Sequence, residues 1–295
     1  MQKTIIYTDN LNMESSKIPQ AFKDFISLNC DRARFIQDYL KAGGLDSTII
    51  SLQGKNHIYV KFPAQQYNPM FRIKTVIAHY DRIGIGANDN SAAVFCLMEW
   101  ALRQAQGPQY AYVVPEPVEG PHMVDQHNIR LIFTDGEELG EQGGVHQQGA
   151  FPLAQTFRKL GITNDDIYVF DCMGRGDVPI LAQAKIPPNV PTKFLTAYSE
   201  LEERTKKILQ SVSKGKWFTL PVNYSDNASF IANGLPAVAI TMLPSEEVQQ
   251  VLNAQTPPSW QYLHTQHDNL ASLTPVSFEI FYKILNELAA QKTVL

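Results

Sequence analysis

Apolar positions in this chain switch repeatedly between two periods. Over residues 18–42, Phe22, Phe25, Ile26, Ile36, Tyr39 and Leu40 recur at roughly helical spacing and stop at Gly43-Gly44, which predicts one helix. Two strands follow, over 47–52 and 57–62. Three short apolar runs, 73–78, 129–134 and 167–170, read as buried strands. Residues 91–102 are apolar almost all round, the mark of a helix buried against a sheet. Further on, the pattern predicts a charged helix over 199–212, a short helix after Ser225, a strand over 237–241 and a closing amphipathic helix over 275–290. Such alternation implies an α/β fold, a three-layer sandwich whose central mixed, mostly parallel sheet is flanked by helices.

One stretch departs from the periodicity. Residues 104–122 are rich in Gln, Gly and Pro and interrupt the route from a helix to the strand at Ile129, so they read as a surface insertion, stiff and exposed. With 295 residues, 44% apolar and 18% charged, the chain can bury a sizeable core, and residues 1–295 are expected to form a single domain. A net charge of −4 without a long basic run argues against nucleic acid as a partner and for an acidic pocket. Cys30, Cys96 and Cys172 are odd in number and lack CxxC spacing, which speaks against a disulfide framework or a thiolate zinc site. The first ten residues contain no apolar core of signal-peptide length, and no stretch approaches the roughly 18 apolar residues of a membrane span. The expectation is a cytoplasmic protein with reduced thiols and no membrane partner.

The candidate chemistry sits where the strands stop. The first apolar run delivers His79-Tyr80-Asp81, the second Asp135-Gly136-Glu137-Glu138, and the third Asp171. Open α/β sheets bind ligands beyond the carboxyl ends of their strands, so these groups should converge in one pocket despite their distance in sequence. Asp89, just before the buried helix, and His264 complete the set. Carboxylate oxygen and neutral imidazole nitrogen together suit zinc, and also manganese or cobalt, better than calcium. Taken singly, a histidine after a strand is more often a satisfied buried polar group, and a Glu-Glu pair in a Gly-rich loop is usually a solvated turn. The ordered combination is what points to metal. His57, His122, His127, His146 and His267 keep the bland reading, and Asp268 is a candidate support for His264 or its loop.

These motifs resemble a known family. His79-x-Asp81, Gly86-Ala87-Asn88-Asp89-Asn90-Ser91, Gly136-Glu137-Glu138-Leu139-Gly140, Asp171 closing a strand, Ser225-Asp226-x-x-Ser229-Phe230 and His264-Thr265-x-x-Asp268 look like the zinc aminopeptidases of metallopeptidase family twenty-eight, whose relatives include the glutaminyl cyclases. The likeness runs from about Ala42 to the carboxyl end. It implies the sandwich fold of zinc-dependent exopeptidases, also called phosphorylase/hydrolase-like, and peptide substrates with a free amino terminus. It also implies two zinc ions: His79 and Asp171 would serve one, Glu138 and His264 the other, with Asp89 as the bridge. Glu137 would be the general base acting on a metal-bridging water, and a cis peptide would follow Asp89.

Physical reasoning is consistent with that assignment. Two zinc ions carry +4, Asp89, Glu138 and Asp171 supply −3, and a bridging hydroxide would bring the cluster close to neutral. Adjacent residues at a strand-to-loop junction point in different directions, so Glu138 can bind metal while Glu137 faces the attacking water. Asp81 can accept the imidazole N–H of His79 and fix its tautomer. Only ten positions separate His79 from Asp89, a short connection for the family, and Asn227 stands where relatives often carry histidine. Tyr224 or the metal would then serve the oxyanion. Two alternatives stay open: a glutaminyl cyclase using one zinc, and a non-catalytic domain of the same fold. Against the cyclase, Leu263 stands before His264 where cyclases typically place tryptophan, and no tryptophan closely follows Glu138.

Overall fold

The computed structural model describes residues 18–106 and 126–295. Most of the 104–122 segment therefore lies outside the described residues. The opening helical stretch is two helices rather than one, α1 (Gln20–Ile26) and α2 (Arg32–Ala42). The extended backbone of Ser27 ends the first, and Asp31, whose side chain accepts the Arg34 N–H, caps the start of the second. Strands β1 (Asp46–Leu52) and β2 (Lys55–Lys61) form a hairpin. Its two turn residues, Gln53 and Gly54, both have positive φ (48° and 78°), the twist that matches paired strands.

The sheet is built as the alternation requires. Strand β3 (Lys74–His79) leads through the 80–92 loop into α3 (Ala93–Gln106), and β4 (Ile129–Thr134) leads into the short α4 (Gly140–Gly143) and then α5 (Ala150–Lys159). Next come β5 (Asp166–Phe170), β6 (Val178–Ala182), α6 (Thr192–Ser213), β7 (Phe218–Leu220) and α7 (Asn227–Ala232). The chain closes with β8 (Ala237–Leu243), α8 (Ser245–Leu252), α9 (Pro258–Tyr262) and α10 (Pro275–Ala290). The strand order is β1-β2-β4-β3-β5-β8-β6-β7. Strands β4, β3, β5 and β8 run parallel, as do β6 and β7, while the other pairs are antiparallel.

Period-two alternation assigns the two faces. Val76, Ala78, Leu131, Phe133, Tyr168, Phe170, Val238 and Ile240 face the larger core, shared with α1, α2, α3, α6 and α10. Their neighbours Ile77, Ile132, Ile167, Val169, Ala237 and Ala239 face α5 and α7. Burial on both faces explains why these strands are continuously apolar in sequence. Phe170, fully buried with its ring 4.8 Å from Phe281, ties β5 to α10. Truncating such a ring costs ~3–5 kcal/mol.

Six elements have no counterpart in the apolar pattern: α4, α5, β6, β7, α8 and α9. Strand β6 contains Pro179, which normally argues against an interior strand. It is tolerated because β7 pairs only with Ile180, Leu181 and Ala182, so no ladder bond is required of Pro179 on that side. Helix α6 also starts earlier than its charged portion suggests, directly after Pro191. Among the described residues, no helix is long and apolar enough to cross a membrane.

Candidate metal centre

Parallel register brings the strand ends level. His79 on β3 pairs with Thr134 on β4, so Asp135-Gly136-Glu137-Glu138 leaves the sheet beside His79. Asp171 follows the end of the adjoining β5. Asp89 arrives from the loop before α3. That loop needs Gly86, whose φ of 58° is left-handed and where a Cβ would stand 2.4 Å from the Asp89 carbonyl oxygen. The Asp89-Asn90 peptide is cis.

Asn88 and Asn90 stitch this loop to the end of β5. The Asn90 amide donates to the Phe170 carbonyl at 2.8 Å and accepts from the Cys172 N–H at 3.2 Å. Asn88 accepts from the Gly174 N–H at 2.8 Å. From the other side, the Asp268 carboxylate accepts the backbone N–H groups of Asn88 and Asp89, at 2.7 and 3.0 Å. Asp268 therefore supports the Asp89 loop, not His264 as one of the anticipated roles had it.

The donors form two groups that share Asp89. His79, Asp89 and Asp171 make one and Asp89, Glu138 and His264 the other, the ligating atoms within each lying within 4.8 Å of one another. His79 Nε2 is 3.2 Å from Asp89 Oδ1 and 3.5 Å from Asp171 Oδ1. His264 Nε2 is 2.9 Å from Glu138 Oε2 and 3.1 Å from Asp89 Oδ2. His79 Nε2 and Asp171 Oδ1 are buried and make no hydrogen bond, as expected of donors aimed at a cation. Imidazole nitrogen and carboxylate oxygen in two adjoining triads fit a pair of transition-metal ions.

Both histidines are backed by carboxylates. His79 Nδ1 lies 3.2 Å from the Asp81 carbonyl oxygen and 3.5 Å from its carboxylate, which leaves Nε2 for the pocket. Asp81 also accepts the backbone N–H groups of Glu137 and Glu138, each at 3.1 Å, and so shapes the acidic turn. His264 Nδ1 is 3.1 Å from Glu141, a carboxylate that the sequence reading did not single out. Its position in the first turn after the Glu-Glu pair was the available signal. Gln148, also missed, donates from Nε2 to Glu137 Oε1 at 2.8 Å.

The cluster carries more negative charge than its histidines balance. Burial works against charge on His79, but Asp171, Asp81 and Asp89 outweigh it and hold its pKa well above the usual value. Hydrogen bonds to Asp89 and Glu138 push His264 up to about 11. Burial raises Glu137 well above the normal carboxylate range, with Asp171, Asp226 and Asp89 adding to it and His79 opposing. Buried Asp226, close to Asp81 and Asp171, rises to about 7, although His79 and a Thr134 hydroxyl oppose the shift. Asp89 stays low despite its burial, because the imidazoles of His264 and His79 stand against its two oxygens. The negative charge gathered around the two histidines favours a cation at these positions.

A cavity of about 300 Å³ opens onto this cluster. Its acidic side is formed by Asp89, Glu137, Glu138, Glu141 and Asp171, and its apolar side includes Ala182, Val222, Ala239, Ile240, Trp260 and Leu263. Tyr224 lines it too, but its hydroxyl donates to the Gly140 carbonyl at 2.8 Å instead of standing free for an oxyanion. Asn227 is turned inward, its side-chain oxygen accepting from the Ser225 N–H. The remaining described histidines stand outside the donor groups. His57 accepts the Asp135 N–H and His127 the Ile129 N–H, while His146 packs on Phe151 and His267 on Tyr262. His122 lies outside the described residues.

Peptidase family M28 matches residues 58–289, most of the chain and all of the motifs above. The chain belongs to that family. Among solved structures it is similar to the LapA aminopeptidase of Legionella pneumophila, at 16% identity and a TM-score of 0.63, covering 99% of this chain and 79% of that one. It is also similar to the glutaminyl cyclase of Porphyromonas gingivalis, at 17% identity, TM-score 0.58 and 87% coverage of each chain. A third, BSAP, a zinc aminopeptidase from Bacillus subtilis, has 16% identity and a TM-score of 0.54, covering 79% of this chain and 48% of that one. At such identities the likeness is one of fold. No curated protein sequence matches the chain.

Proposed function

We propose that this chain is a zinc-dependent aminopeptidase, a single metallopeptidase domain that hydrolyses the amino-terminal bond of peptides. One observation carries the reading: Asp89 is shared by two donor triads, and Glu137, outside both, stands at the same cavity. His79, Asp89 and Asp171 would hold one ion, Asp89, Glu138 and His264 the other, with cobalt or manganese as possible substitutes for zinc. When bound, such ions polarise a carbonyl and make a water acidic enough to attack near neutral pH.

The chain's own residues do the rest. Glu137 takes the water's proton and passes it to the leaving nitrogen, a role that suits a carboxylate standing at the cavity outside both triads. Asp81 orients His79 through Nδ1 and holds the Glu137-Glu138 turn through two backbone N–H groups. The apolar wall receives the first side chain of a substrate with a free amino terminus. BSAP is described as a zinc aminopeptidase and LapA as an aminopeptidase, which supports this choice within the family.

A second reading is favoured by one residue. Trp260 reaches the cavity wall beside Leu263, so an indole lines the pocket although none directly precedes His264. A glutaminyl cyclase, in which the acidic residues relay protons for an internal attack, would use such a wall. The deciding experiment is metal content per chain on protein purified without chelator, paired with assays on leucine p-nitroanilide and on a glutaminyl peptide. Two zinc ions with release of the aniline support the aminopeptidase. One zinc with ammonia released from the glutaminyl peptide moves the assignment to the cyclase, and no metal with no turnover leaves a binding domain.

A further inference from the structure

Gln148 belongs to no motif of the sequence, yet it is 1% exposed and stands against Glu137. Its side chain fills the space left by Gly140, where a Cβ would sit 2.6 Å from Gln148 Cγ. The amide is used at both ends. Nε2 donates to Glu137 Oε1 at 2.8 Å, and Oε1 accepts from the hydroxyl of Ser229 on α7 at 2.7 Å. Ser229 is itself fully buried. With the amide turned round, two acceptor oxygens would face each other at Glu137, so the carboxylate selects the orientation, and the Ser229 hydroxyl, which also reaches the Val145 carbonyl at 3.5 Å, anchors the other end.

We propose that Gln148, anchored by Ser229, is a positioning residue that pins one carboxylate oxygen of Glu137 and leaves the other to work in the cavity. The proposal rests on the general-base reading given above. Glutamate has several rotatable bonds, and a base misplaced by about 1 Å can lose ~100-fold in rate. Here the backbone N–H of Glu137 is fixed by Asp81 and one carboxylate oxygen by Gln148, so the residue is held at both ends. Sequence separation hides the arrangement: Gln148 is 11 residues from Glu137, and Ser229 is 81 residues from Gln148.

The test is a double-mutant cycle on the full chain with its metal. Gln148→Met keeps length and flexibility but removes the donor, and Ser229→Ala removes the anchor. Each is made alone and in Glu137→Gln, with kcat, KM, metal per chain and melting temperature measured on leucine p-nitroanilide. Gln148→Met is expected to lower kcat about 10- to 100-fold with KM within about threefold and metal unchanged, and Ser229→Ala to do the same more weakly. Neither should add to the loss already caused by Glu137→Gln. Native kcat in folded, metal-loaded Gln148→Met, or an undiminished further loss in the Glu137→Gln background, would overturn the proposal. If Gln148→Met does not fold, the Ser229→Ala cycle decides by the same two outcomes. Native activity in Glu137→Gln itself would instead overturn the general-base reading, and this proposal with it.

Discussion

At the amino ends of β3, β4 and β5, buried acids have cations beside them. Asp165 meets Arg130 and accepts the Thr75 hydroxyl at 2.6 Å, while Asp166 lies 2.7 Å from Arg204 and 3.7 Å from Arg72. Lys74 donates to the carbonyls of Ala289 and Gln291, closing the last turn of α10. At the carboxyl ends of the same strands stand Asp81, Asp89, Glu137, Glu138, Asp171, Asp226 and Asp268, and the ion pairs among them are made with the imidazoles of His79 and His264. No lysine or arginine among the described residues pairs with any of them. One end is neutralised from within. The other leaves a charge deficit that a bound cation would fill, and a fold keeps such a conflict where function requires it.

The comparison can be broken at either end. The largest effect is expected for Glu137→Gln, which should lower kcat by ~10³-fold or more while metal content stays at the native level. Loss of metal in that variant would mean that Glu137 is a ligand. Asp89→Ala removes the donor common to both triads, so metal and turnover should vanish together. Stripping metal from the native protein should cost ~4 kcal/mol of stability if free metal normally stands at about 1,000 times its dissociation constant. The variant's melting temperature should then be low and indifferent to chelator, and a chelator-sensitive melt would contradict the shared-ligand assignment.

Without metal, stability should depend on pH in one direction. Asp268 at about 6, Asp226 at about 7 and His264 at about 11 all bind protons more tightly folded than unfolded. Their contribution is therefore complete below the unfolded values and is lost as pH rises, from about 4 to 7 for the carboxyls and from about 6.5 to 11 for His264. Asp89, held low, works oppositely but only at acid pH. Urea titrations of chelated protein should show stability falling by several kcal/mol between pH 5 and 8, and metal should flatten it. A chelated protein that grew more stable over that range would contradict the account.

Smaller effects come from single partners. Arg204→Ala should destabilise the fold by ~2 kcal/mol in denaturant while leaving metal content and kcat untouched, because Asp166 keeps Arg72 and lies at the other end of the sheet. Glu141→Gln should weaken metal retention by only ~10-fold in competition with a chelator, since Glu141 is exposed and acts through His264. An unchanged affinity would reduce Glu141 to a surface contact.

Short strands buried on both faces are apolar throughout, and acids or imidazoles at their ends stand out sharply. That is why β3, β4, β5 and β8, together with His79, Glu137, Glu138 and Asp171, were legible in the sequence. The break over 27–31 was not, because its polar residues leave the apolar positions on either side at a spacing close to helical. Strand β6 was hidden by Pro179, whose tolerance depends on how far β7 extends alongside it. Gln148 and Asn90 carried no signal either. Polar residues in loops look alike until folding shows that one meets Glu137 and the other the Phe170 carbonyl, 80 residues away.

By itself the sequence determined the periodicities, hence the α/β layering, and the residue types available at the strand ends, because both are local properties of the chain. Only the tertiary structure decided which ends adjoin, through the order β4-β3-β5-β8. It also decided that Asp89 joins two triads, and that buried amides and carboxylates fix the groups around them. Those outcomes depend on long-range pairing and packing, which spacing along the chain does not encode.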